Sequence, residues 1–77
     1  MEIKIQTITG SKFIVDIEDT TTIADVKTHI LAKTGIPAQQ QRYVYKGRLL
    51  KDEEFVKHLP EASAGMTLNM ILSLRGG

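Results

Sequence analysis

Few residues in this chain carry reactive chemistry. There is no cysteine, which excludes a thiol nucleophile, a thiolate metal site and a disulfide together. His29 and His58 stand far apart, with no carboxylate or hydroxyl partner at a spacing that would build a metal site or a general base. What remains is the end of the sequence, Leu74, Arg75, Gly76 and Gly77. Two glycines without side chains can thread a narrow channel in almost any backbone conformation, and they end in a carboxylate. A carboxylate is inert toward amines until its oxygen becomes a good leaving group. Any chemistry at Gly77 therefore needs catalytic residues supplied by other proteins, and nothing in the chain calls for a cofactor. Taken alone, such an ending equally fits a frayed terminus or a fragment of an RNA-binding tract.

The second group of candidates is apolar. Val44 lies between Tyr43 and Tyr45, Ile71 falls on the solvent parity of the last apolar run, and Ile8 lies at a turn. Ile14 also points outward against its neighbours' pattern. Each by itself is an ordinary exposed residue.

These residues need elements to hold them. Met1, Ile3 and Ile5 alternate with Glu2, Lys4 and Gln6, and Phe13, Val15 and Ile17 alternate likewise after a turn at Gly10. Period-two runs around a glycine turn predict a β-hairpin. Ile23, Val26 and Ile30 then stack on one helical stripe. Thr22 with Asp25 forms a capping-box start, and Gly35 followed by Pro37 a stop, so a helix is expected over about 23–34. A second hairpin turns at Lys46–Gly47, with strand three over about 40–45 and a short strand holding Leu49 and Leu50. Phe55 and Leu59 are expected to anchor one helical turn before Pro60. The last strand should direct Leu68, Met70 and Leu72 to one face and Thr67, Asn69, Ile71 and Ser73 to the other. The order strand, strand, helix, strand, short strand, strand predicts an α+β roll with one helix across a mixed sheet.

The 77 residues suffice for one domain near the lower size limit for a single core. A net charge of +1 provides no field for nucleic acid or an anionic membrane. No apolar run approaches the roughly 20 residues of a membrane span, and the N-terminus lacks a signal-peptide core. A soluble intracellular monomer is expected.

The motifs at 7–10 (TITG), 34–37 (TGIP), 39–42 (QQQR), 45–47 (YKG) and the final LRGG resemble ubiquitin and its near relatives along the whole chain. The resemblance implies the β-grasp fold, with a domain at 1–72 and a flexible conjugation tail at 73–77. Several positions, such as 16–18 (DIE), 39–41 and 52–53 (DE), look more like the Rub modifiers of neddylation than ubiquitin. Ser73 weighs most. Ubiquitin carries arginine there and Rub modifiers alanine, and in the family this position helps each activating enzyme choose its modifier. Serine is small and uncharged, closer to alanine.

By resemblance, Gly77 and Gly76 are the conjugated end, and Leu72, Ser73, Leu74 and Arg75 meet the activating enzyme. Ile8, Val44 and Ile71 form an interaction patch rimmed by Arg42, Arg48 and Asn69. Lys27 and Lys33 match chain-acceptor sites of ubiquitin, whereas Arg48, Gln6, Ser11 and His29 replace others and favour single-copy modification. The implied partners are a heterodimeric activating enzyme, a conjugating enzyme, ligases, deconjugating proteases and cullin-type targets, in cytoplasm and nucleus. A divergent ubiquitin, a β-grasp sulfur carrier and a non-covalent docking module remain alternatives.

Overall fold

The computed structural model describes residues 1–73. Leu74, Arg75, Gly76 and Gly77, expected as tail residues, lie outside the described residues. Strands β1 (Glu2–Thr7) and β2 (Lys12–Asp16) form an antiparallel hairpin in which Ile3 faces Val15 and Ile5 faces Phe13. The connecting turn is closed by Gly10, whose N–H donates to the Thr7 carbonyl at φ +92. The Thr7 hydroxyl accepts from the Ser11 N–H at 3.1 Å. Ile8 is left at the tip, 85% exposed.

Helix α1 (Ile23–Thr34) has the bounds expected from its caps. The Thr22 hydroxyl accepts from the Asp25 N–H, and the Asp25 carboxylate accepts from the Thr22 N–H at 2.9 Å. Such reciprocal bonds satisfy two donors that the first turn would otherwise leave unpaired. The next donors are satisfied from afar: the N–H groups of Ile23 and Ala24 reach the carbonyls of Glu54 and Asp52. Gly35, at φ +78, ends the helix in the left-handed region that suits glycine.

A 3-10 turn (Ala38–Gln40) leads into β3 (Gln41–Tyr45), which pairs with the short β4 (Arg48–Leu49). Lys46 and Gly47 both have positive φ, the geometry of a two-residue hairpin turn whose twist matches its strands. A second 3-10 turn (Val56–His58) precedes β5 (Thr67–Leu72). The sheet order is β2-β1-β5-β3-β4, with β5 parallel to β1 and antiparallel to β3.

The stripe Ile23, Val26 and Ile30 packs on Ile3, Ile5, Val15, Ile17, Leu68 and Met70 in one core. Within it lies one polar chain. The buried Tyr43 hydroxyl donates to Gln41 Oε1 at 2.7 Å, and Gln41 Nε2 donates to the carbonyls of Lys27 and Ile36. Burial raises the Tyr43 pKa, keeping the phenol neutral as a donor.

Three placements differ from the sequence pattern. Val56, fully buried, anchors the 3-10 turn together with Leu59, while Phe55 is 38% exposed. Phe55 instead forms a bridge with Thr22 and tilts against the His58 ring. Leu50 lies beyond β4, drops into the core, and bonds the Tyr43 carbonyl through its N–H. Leu72 has core parity but is 48% exposed, at the last residue of β5.

Candidate interaction surface

The outer face of the sheet, opposite the helix, is assembled by register. Pairing sets Arg42 against Ile71 and Val44 against Asn69 across β3 and β5. Asn69 in turn lies against Gln6 on β1, whose hairpin continues to Ile8. Residues of equal parity on neighbouring strands share a face, so Ile8, Val44, Ile71, Arg42 and Asn69 gather on one surface although they lie far apart in the chain. Ile71 is 45% exposed and Val44 half-buried. A groove of about 250 Å³ runs between Gln6, Thr7, Ile8, Asn69, Met70 and Ile71. Apolar area beside polar rim residues is the composition of a recognition surface.

Two residues change the outline. Leu49 pairs with Val44, so it stands on the same face, half exposed, and enlarges the apolar area beyond the three residues expected. The signal was present in the sequence: a two-residue turn at Lys46–Gly47 places Leu49 opposite Val44. Arg48 pairs with Tyr45 and so has the opposite parity, and its guanidinium binds Glu54 at 2.8 Å. Glu54 also accepts from the Lys51 N–H at 2.6 Å. The hydrogen bond from Arg48, followed by that from Lys51, holds the Glu54 carboxyl below its usual range.

The two acceptor candidates have different surroundings. The Lys27 side chain is only 15% exposed and its ammonium lies 2.5 Å from Asp52. Lys33 is exposed in the last helical turn. At the end of β5, the Ser73 N–H donates to the Gln40 carbonyl at 2.7 Å, which fixes where the chain leaves the sheet. Among the described residues no cluster of His, Asp and Glu could hold a metal ion, and no helix is long and apolar enough to cross a membrane.

A mixed five-strand sheet of this order, with one helix packed across one face, defines a β-grasp domain of the ubiquitin-like kind. The chain belongs to the ubiquitin family, whose pattern matches residues 3–75. It is 43% identical over 77 residues to the NEDD8-like protein RUB3 of Arabidopsis thaliana, covering 100% of this chain and 97% of that one. It is 35% identical to the ubiquitin-like protein NEDD8 of Dictyostelium discoideum, covering 100% and 99%. The NEDD8-like protein RUB1 of Saccharomyces cerevisiae is also 35% identical, with 100% and 99% covered.

Proposed function

We propose that the chain is a ubiquitin-like modifier of the Rub type, joined through the Gly77 carboxylate to lysines of other proteins. The observation that carries this reading is similarity to NEDD8 and Rub proteins along the full length of both chains. The small, uncharged Ser73 supports the branch, because an activating enzyme built for arginine would leave its buried acceptors unpaired against serine. The chain acts as substrate and label rather than as a catalyst.

In this reading the Gly77 carboxylate attacks the α-phosphate of ATP, forming an acyl adenylate and releasing pyrophosphate. A cysteine thiolate of the activating enzyme displaces AMP, and a second thiolate, on the conjugating enzyme, takes over the acyl group. A target lysine amine then attacks the thioester and releases the thiol, leaving an isopeptide bond. Leu72, Ser73, Leu74 and Arg75 would guide the first step, and the face bearing Ile8, Val44, Leu49 and Ile71 would dock ligases and proteases. Cullin-type ligase scaffolds are the proposed targets, in cytoplasm and nucleus. Lys33, exposed, is a better acceptor than Lys27, whose ammonium is engaged by Asp52.

Incubation with ATP and either the Rub-type or the ubiquitin activating enzyme tests the reading. A thioester with the first is expected, absent after deletion of Gly77, and Ser73→Arg should shift loading toward the second. Loading by the ubiquitin enzyme alone would overturn it, as would a thiocarboxylate product detected by intact mass.

A further inference from the structure

Ile14 is not a core residue; its pairing with Lys4 sets it on the outer face of the sheet, in a groove with Glu2, Lys4, Ala64 and Gly65 that is separate from the one beside Ile8 and Ile71. Ile14 is 46% exposed on β2, at the opposite edge of the sheet from β4. The hydrogen bonds at the two ends of the first hairpin show which way the backbone of β2 faces. The Thr7 N–H donates to the Ser11 carbonyl, and the Ile17 N–H to the Met1 carbonyl. Bonded pairs alternate with non-bonded pairs in an antiparallel ladder, so Ile3–Val15 and Ile5–Phe13 are the bonded pairs between. The Lys4 N–H accordingly points the other way and donates to the Met66 carbonyl. By the same alternation the N–H and C=O groups of Lys12, Ile14 and Asp16 face the open edge. All three residues are exposed, and among the described residues no backbone bond is made to them from that side.

An unpaired edge of this kind is a template for another strand. Side chains directly opposite one another must match, and the edge presents the cation Lys12, the aliphatic Ile14 and the anion Asp16, whose carboxylate lies 3.3 Å from the Met1 ammonium yet is 82% exposed. An added antiparallel strand would need a basic residue opposite Asp16, an aliphatic one opposite Ile14 and an acidic one opposite Lys12. Read in its own direction, that strand is basic, any, aliphatic, any, acidic. Lys12–Phe13–Ile14–Val15–Asp16 is itself such a strand.

We propose that β2 pairs with β2 of a second copy of this chain, antiparallel and centred on Ile14, to give a two-fold symmetric dimer with a continuous sheet. Each Lys12 meets the other copy's Asp16, and the two Ile14 side chains meet on the axis. The three outward N–H groups and three outward C=O groups of each strand all find partners. On the helix side, Phe13, packed at the margin of the core, lies opposite the other copy's Val15. The lysine that ordinarily blunts an edge against pairing is here neutralised by the opposing aspartate. The interface is small, so association is weak, with Kd on the order of 1 mM. It becomes significant when two copies are held close together. The proposal does not rest on conjugation and stands whether or not the Rub reading holds.

Sedimentation and amide chemical shifts, followed from micromolar to several-millimolar protein, test it with charge swaps. Lys12→Glu and Asp16→Lys should each remain monomeric alone, with circular dichroism confirming that they are folded. Mixed together they should associate, since each glutamate then meets a lysine, and the double variant K12E/D16K should regain self-association. Shift changes should centre on Phe13, Ile14 and Val15. No association at several millimolar would overturn the proposal. So would association centred on Val44 and Ile71, or charge swaps without effect. A monomer that instead binds a synthetic peptide copying residues 12–16 would reassign the edge to a strand of another protein and overturn the second copy as its occupant.

Discussion

Glu54 shows how one residue links three parts of the chain. Its carboxylate takes Arg48 of β4 and the Lys51 N–H, while its carbonyl receives the Ile23 N–H at the start of α1. Because its folded pKa lies below the ordinary 4.5, its contribution is fully present above that value and is lost as the pH falls through the lower folded pKa. Asp19, paired with Lys57, and Glu61, paired with Lys46, are lowered for the same reason and act in the same direction. Urea unfolding from about pH 7 to about pH 3 should therefore show stability falling at the acid end. Glu54→Gln should be less stable at neutral pH and show a shallower fall across the same window; a slope equal to the parent's would remove Glu54 from the account. None of these pairings was legible in the sequence. Arg48 lies on β4, Lys57 in the second 3-10 turn and the other partners in turns and loops, and their meeting depends on the whole fold.

At the scale of elements, α1 was legible to the residue, because its start and stop are local. Thr22, Asp25 and Gly35 act within four residues of the groups they satisfy. Thr22→Ala should cost about 1 kcal/mol, through loss of the hydroxyl bond to the Asp25 N–H, and thermal unfolding would measure it. An unchanged melting temperature would mean that the carbonyls of Asp52 and Glu54 hold the helix start without it. The strands were legible by parity and less so at their ends. Parity says which way Leu72 points and not whether anything covers it, and Leu72 lies at the end of its strand. Phe55 misled for a related reason: an aromatic side chain signals burial, but the backbone of the 3-10 turn directs Val56 inward instead.

At the scale of the molecule, placing β5 between β1 and β3 converts scattered residues into a surface. Val44→Ala removes a half-buried side chain from the middle of it, between Leu49 and Asn69. Stability should fall by about 1 kcal/mol or less, while affinity for conjugation-pathway partners drops about tenfold, as truncating a central contact does. Calorimetric titration alongside thermal unfolding would separate the two. A large loss of stability with unchanged affinity would make Val44 a core residue and sink the surface.

The sequence by itself determined the helix, the five strands and their order, the helix caps, most inward residues of the strands and, by resemblance, the family. All of these follow from contacts between near neighbours or from motifs in fixed order. Only the tertiary structure decided which strands became neighbours, and with them the clustering of Ile8, Val44, Leu49 and Ile71, the engagement of Lys27 by Asp52, and the open edge at β2. Strand neighbours here are chosen by how the apolar faces of distant segments close over α1, and that choice is made by burial across the whole chain.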